Sequence, residues 1–147
     1  MFRPYTSEGR ASHLRRYDQP LTPGQGVAHV HATLAGWGLD GDSESAMDAV
    51  LVAGELLANA RQHAGGIQAL DMVWQGTCLR ISVRDGSGLA PRLTWPHDHR
   101  RAAGHGMRVV ERLATRWGTC PRADGKTVWA ELAVPPEPER RRRAAPP

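Results

Sequence analysis

Two β-hairpin patterns constrain this fold more than any other feature of the sequence. Each consists of two short apolar stretches around a turn-forming pair, Gln75-Gly76 in the first and Asp124-Gly125 in the second. The four stretches span residues 67–74, 77–85, 117–121 and 126–134. Two of them alternate apolar with polar residues, through Leu79, Ile81 and Val83 and through Val128, Ala130, Leu132 and Val134. Strands of this kind are buried on one face, so another layer must cover that face.

Three helical patterns supply the covering layer. Apolar residues from Val27 to Trp37 recur at helical spacing, and Gly38 offers a stop. The longest helix is expected from a cap at Asp42 or Ser43 to about residue 64, before Gly65-Gly66. Its apolar face is assigned to Met47, Val50, Leu51 and Leu57. A third helix is expected over residues 107–116, and an edge strand over residues 13–19.

The order β-α-α-β-β-α-β-β predicts an α+β fold, a two-layer sandwich with a mixed, mainly antiparallel sheet and helices on one face. The 147 residues fit one domain, which we place at residues 11–134, between a flexible N-terminus (1–10) and a disordered Pro/Arg tail (135–147). No apolar stretch approaches the length of a bilayer span, so we expect a soluble, cytoplasmic protein without membrane contact, its two cysteines reduced. The net charge of +4 depends on the run Arg140 to Arg143, which weighs against nucleic acid as a partner.

Three polar side chains recur every four residues along the long helix. Glu55, Asn59 and His63 therefore share one face of that helix. An amide oxygen and a carboxylate aligned in this way can hold hydrated Mg²⁺ and orient a hydroxyl or water. The alternative is a solvated polar stripe on an amphipathic helix.

A carboxylate closes the second strand of the first hairpin. By strand alternation Asp85 points to the same side as Leu79, Ile81 and Val83, and a buried carboxylate needs a donor, such as an exocyclic amine. Gly86 and Gly88 follow and allow a ligand to approach the backbone closely. The alternative is an ordinary turn that uses Asp and Gly.

Glycines also stand where the third helix is expected to begin. In the run Gly104-His105-Gly106-Met107, free N–H groups at a helix start could cradle phosphate. The alternative is simple helix entry after a flexible loop.

These segments occur in an order that resembles a known superfamily. An E-x-x-x-N-x-x-x-H helix, the segment from Asp85 to Gly88, a G-x-G-M segment and the run Gly125-Lys126-Thr127 look like the N, G1, G2 and G3 boxes of the GHKL (histidine kinase-like) ATPases. The resemblance covers roughly residues 20–134. Within the superfamily, the small size and the run from Gly125 to Leu132 look like the stand-alone anti-sigma-factor serine/threonine kinases.

The resemblance implies a Bergerat-type sandwich and a role for each matched residue. Asn59 would be the Mg²⁺ ligand, Glu55 the general base and Asp85 the acceptor of the adenine amine, with Thr127 as a hydroxyl near the same base. Gly86 and Gly88 would lie against the nucleotide, residues 104–107 would face the phosphates, and residues 89–103 would form the ATP lid. His63 completes the first box, although helix-end packing is the simpler reading of it. His105 departs from the usual pattern, so Arg100, Arg101 and Arg108 are candidates to assist the phosphates.

The resemblance leads to one main hypothesis, an ATP-binding regulatory protein that phosphorylates an antagonist protein and holds a sigma factor. The alternative is a non-catalytic, ATP-dependent switch that binds a partner protein. Both use ATP and Mg²⁺. The sequence leaves the oligomeric state open, a homodimer included, and does not identify the sigma factor or the antagonist.

Overall fold

A computed structural model describes residues 9–15, 18–62, 66–86 and 102–135, with the backbone alone for 102–106. The elements follow the predicted order β-α-α-β-β-α-β-β. They are β1 (Arg10–Arg15), α1 (Pro23–Gly36), α2 (Glu44–Arg61), β2 (Ile67–Gln75), β3 (Cys78–Asp85), α3 (Ala102–Leu113), β4 (Arg116–Arg122) and β5 (Gly125–Ala133). The prediction of an α+β fold is therefore confirmed.

The five strands form one sheet in the order β1-β2-β3-β5-β4, with β1 and β4 at its edges. Every strand pair described is antiparallel, so the parallel component of the expected mixed sheet is not found among these strands. Both predicted hairpins are confirmed, as β2-β3 and β4-β5. One face of the sheet carries the alternating apolar residues of β3 and β5, all of them buried: Leu79, Ile81, Val83, Val128, Ala130 and Leu132.

The helices cover that apolar face, with α2 in the middle. Helix α1 contacts β1 and β2, α2 contacts β2, β3 and β5, and α3 contacts β4. Helix α1 begins with a capping box between Thr22 and Gln25, and Ser43 caps α2. The two helices approach closely because Gly26 has no side chain: a Cβ there would lie 2.6 Å from Leu57 Cδ1.

The apolar face assigned to α2 from the sequence is wrong in part. Met47 and Leu51 are 57% and 53% exposed, whereas Leu57 is buried as expected. The buried face is lined largely by small residues: Ala46, Ala49, Val52, Ala53, Leu56, Leu57 and Ala60. Four of these seven residues are alanines, so large apolar residues mark only part of the inner face.

The bounds of β1 and α3 also differ from those expected. Strand β1 ends at Arg15 and begins at Arg10, three residues earlier than predicted. Helix α3 begins at Ala102, five residues before Met107, and ends at Leu113, because Arg116 already belongs to β4. The N-terminal residues 1–8 and the tail from residue 136 lie outside the described residues.

In the described part of the chain, no helix combines the length and the apolar character that crossing a membrane requires.

Candidate functional site

The candidate residues gather at one end of the molecule because several elements begin or end there. Helix α2 ends at Arg61, and residues 62–66 connect it to Ile67, the first residue of β2. Ile67 pairs with Asp85 at the end of β3, and Asp85 pairs with Lys126 at the start of β5. Asn59, in the last turn of α2, therefore belongs to the same end of the fold as Asp85.

Helix α3 starts at this end as well. Helix α3 ends at Leu113, and Thr115 shortly after it donates its backbone N–H to Glu131 O. Glu131 lies five residues along β5 from Lys126, so the end of α3 is far from Asp85. The 12 residues of α3 span about 18 Å, and α3 packs against α2. Its first turn therefore lies back toward the end of the sheet that carries Asp85.

Glu55 and Asn59 occupy the flank of α2 that faces away from α1. Gly54 faces α1, since a Cβ there would lie 4.0 Å from Val27 Cγ2. Asn59 is five residues further on, about 140° around the helix, on the side where α3 packs. Both polar side chains are half-buried, and neither forms a hydrogen bond or ion pair with the described residues. Their amide and carboxylate oxygens are therefore available to a hydrated cation or a substrate hydroxyl.

Asp85 is buried, as the strand alternation predicted, and it has a cationic neighbour. The Nζ atom of Lys126 lies 3.6 Å from Asp85 Oδ2, and both side chains are 1% exposed. The two residues face each other across β3 and β5 and point to the apolar, helix-covered face of the sheet. The chain itself thus supplies an opposite charge beside the buried carboxylate, and the carboxylate can still accept hydrogen bonds from other donors.

Gly125 fixes the distance between these two strand ends. A Cβ at this position would lie 2.0 Å from Asp85 O and 3.2 Å from Gly86 Cα. No side chain fits in that space, so the glycine that precedes Lys126 is required by packing. The G3-like run therefore has a structural function at its first residue, whatever it binds.

The structure corrects the position expected for Thr127. Adjacent residues of a strand point to opposite faces, so Thr127 faces away from Asp85. Its hydroxyl accepts a hydrogen bond of 2.8 Å from Arg122 Nε. The residue of this run that shares a face with Asp85 is Lys126, to which the sequence motifs had assigned no function.

The expected phosphate cradle also needs correction. Because α3 begins at Ala102, Gly104 lies in the first turn of the helix, whereas Gly106 and Met107 lie beyond it. The N–H groups of those two residues are bonded within the helix. The side chain of Met107 packs against the hydrophobic core instead of projecting from the helix start. The N–H of His105, the fourth residue of α3, is bonded in the same way, so within the predicted run Gly104 alone belongs to the N–H groups that the first turn leaves unbonded.

The G1-like segment has a shorter spacing than the box that it resembles. Gly86 follows Asp85 directly, whereas a D-x-G-x-G pattern has one residue between them. Gly86 is half-buried, and its Cα would lie 3.2 Å from a Cβ added at Gly125. Several other predicted features lie outside the described residues: His63, Gly88, Arg100, Arg101, the part of the lid over residues 89–101 and the side chain of His105. The last two residues of the expected lid, 102 and 103, belong to the first turn of α3 instead.

Comparison with known proteins adds no assignment. Neither a scan against protein-family models nor a search of curated proteins finds a match to this chain.

Proposed function

We propose that this protein binds ATP with Mg²⁺ at the end of the sheet that carries Asp85, and that it is a serine/threonine kinase of a partner-switching system. The observation that supports this proposal is the convergence of Asn59, Asp85 and the start of α3 at one end of the fold. These are the elements that the resemblance to a Bergerat-type ATPase requires to meet. The order of the sequence motifs alone did not guarantee that they would do so.

In this proposal each group has a separate task. Asp85 accepts a hydrogen bond from the adenine amine, which is favourable because the carboxylate is buried among apolar residues. Asn59 contributes its amide oxygen to Mg²⁺, an ion that binds oxygen ligands and neutralises charge on the phosphates. Gly104 offers a backbone N–H group in the first turn of α3. Thr127 is left out, since its hydroxyl is on the other face of the sheet.

Glu55 would act as the general base for phosphoryl transfer. It precedes Asn59 by one helical turn on the same flank of α2, so it lies beside the proposed metal ligand and one turn farther from the end of the fold that carries Asp85. The hydroxyl oxygen of a protein substrate would attack the γ-phosphorus as the bond to ADP breaks, and the hydroxyl proton would pass to the Glu55 carboxylate. The substrate would be an antagonist protein, and a sigma factor would be held when the antagonist is phosphorylated.

Substitutions at these residues test the proposal by separating binding from transfer. Calorimetric titration with Mg-ATP should show that Asp85→Asn and Asn59→Ala weaken binding. Glu55→Ala should leave binding nearly intact while lowering transfer of radiolabelled phosphate to copurified partners by about 100-fold or more. Glu44→Ala is a matched control, because Glu44 lies at the opposite end of the same helix.

The outcomes distinguish the two functional hypotheses. Absence of ATP binding by the wild-type protein would refute the whole proposal. Tight binding without transfer to any partner, with Glu55→Ala equal to wild type, would refute the kinase and leave the switch that uses ATP to control partner binding.

A further inference from the structure

Lys126 is buried at a position of β5 where the packing of the sheet does not require a charged residue. Lys126 occupies an inward position of β5, in a row with Val128, Ala130 and Leu132, where an apolar residue would continue the pattern. Burying an ammonium group is costly even when a carboxylate is near. A lysine that is 1% exposed therefore calls for an interaction beyond the filling of space.

The contact between the two groups leaves donors on the lysine unused. The separation of 3.6 Å between Nζ and Asp85 Oδ2 exceeds the 2.7–2.9 Å or so of a charge-assisted hydrogen bond. Nζ has no hydrogen-bond partner among the described residues, although an ammonium group carries three donors. The pair is thus an ionic contact in which the lysine can still donate to a third group.

We propose that Lys126 is a second base-reading residue, which donates a hydrogen bond to N1 of adenine while Asp85 accepts one from the 6-amino group. This inference rests on the proposed function, since it concerns the same nucleotide site. Adenine carries a donor, the 6-amino group, and an acceptor, N1, at neighbouring positions of one edge. Asp85 and Lys126 present the complementary acceptor and donor side by side on one face of the sheet. In the same orientation, guanine would set its carbonyl oxygen against the carboxylate of Asp85.

The test uses nucleotide analogues on the full chain. Calorimetry would compare ATP with 1-deaza-ATP, in which N1 is replaced by C–H, and with the triphosphate of purine riboside, which lacks the 6-amino group. Wild-type protein should bind each analogue about 10- to 100-fold more weakly than ATP, the range for losing one hydrogen bond to a charged group. Equal affinity of the wild type for ATP and 1-deaza-ATP would overturn the proposal without the use of any variant.

Variants then assign the N1 contact to the lysine. Lys126→Met should abolish the preference for ATP over 1-deaza-ATP while keeping the preference for the 6-amino group. Lys126→Gln retains a hydrogen-bond donor, so it should keep part of the preference for ATP over 1-deaza-ATP. This variant provides the test if Lys126→Met does not fold. Arg122→Met is the control, since Arg122 approaches Thr127 on the other face of the sheet, and its N1 preference should match wild type.

The outcomes separate this inference from the proposed function. If the wild type does not bind ATP, both fail. If ATP binds and Asp85→Asn weakens it, but Lys126→Met keeps the full N1 preference, the ATP site stands and the Asp85–Lys126 pair is only a structural ion pair.

Discussion

At Gly125, a single methyl group would collide with the backbone of the residue proposed to bind adenine. The φ angle of Gly125 is +154°, and a Cβ added to this residue would lie 2.0 Å from Asp85 O. We expect Gly125→Ala to lower the free energy of unfolding by about 2 kcal/mol or more, because β3 and β5 must separate where they meet. Urea denaturation measures this change.

Gly36→Ala is the matched control for that substitution. Gly36 is the last residue of α1, and no atom lies within 4 Å of the position where a Cβ would be added. The expected change is within about 0.5 kcal/mol or slightly stabilising. Equal losses in the two variants would contradict the close approach described at Gly125.

At the scale of single residues, strand alternation correctly predicted that Asp85 is buried, whereas it was not applied to Lys126 or Thr127. The same strand alternation that turns Val128 and Ala130 inward also turns Lys126 inward, so the signal was present. The apolar face of this strand was assigned from Val128 onward, so the inward position of Lys126 was not recognised. The position of Thr127 came from the resemblance and not from the alternation, which places it on the opposite face.

On helix α2, the two leucines Leu51 and Leu56 should contribute differently to the stability of the fold. Leu51 is 53% exposed, whereas Leu56 is fully buried in the core. Leu56→Ala should therefore cost about 2–5 kcal/mol of stability, through lost burial and the cavity that remains. Leu51→Ala should change stability by no more than about 0.5 kcal/mol.

Thermal and urea denaturation of the two alanine variants, measured side by side, checks which face of α2 is buried. Comparable losses at both positions would support the face originally assigned from the sequence and contradict the structure. The helical propensity of the new residue is the same in the two variants, so it does not contribute to the difference.

The elements of this fold could be predicted where one periodicity is strong. The two hairpins were predicted correctly. Residues that alternate with a period of two on both sides of a turn-forming pair are compatible with few structures other than a hairpin. The face of α2 was assigned wrongly in part because four of its seven buried residues are alanines, whose small side chains give only a weak apolar signal. The start of α3 was placed too late because Gly104 and Gly106 are poor helix formers, and tertiary packing outweighs that preference.

Across the whole sheet, Glu131 connects three strands through its carboxylate. It accepts hydrogen bonds from Arg116 of β4 at 3.0 Å and from the Cys78 thiol of β3 at 3.3 Å, and Arg80 lies at 3.5 Å. Burial raises the pKa of Glu131, but these hydrogen bonds and the arginine charges outweigh it and hold the pKa below its usual value. Burial, together with the same contact, raises the pKa of Cys78 to about 11.

A lowered carboxyl pKa makes the fold sensitive to acid. The folded state then favours the ionised form of Glu131, so its stabilisation is present above the unfolded pKa and is lost as the pH falls below about 5 toward the folded pKa. Urea denaturation from neutral pH to about pH 3 should show a smaller loss of stability for Glu131→Gln than for the wild type. Glu111→Gln, at an exposed position on α3, should follow the wild-type curve. Identical curves for wild type and Glu131→Gln would contradict the role of this carboxylate.

At the scale of the molecule, the order of the elements was predictable from the sequence. The set of polar groups that meet at the end of the sheet was not. Periodicity determines which faces are apolar, and this is enough to stack three helices on one side of a sheet. It does not determine which polar groups meet at the sheet end, because that depends on strand register and on the turn at Asp124. The proximity of Lys126 to Asp85 therefore became visible only once β3 and β5 were paired.

The two edge strands have a consequence for how copies of this chain behave when they are crowded together. A strand with one open side can pair with another chain and start aggregation. Strand β1 carries Arg10 and Arg15, whose positive charges repel the same strand of another copy of the chain. Strand β4 contains Pro121, which lacks an N–H to donate, between Arg116 and Arg122 at its ends. Newly made chains are thus hindered from joining edge to edge, and a homodimer, if one forms, should use a surface other than these strands.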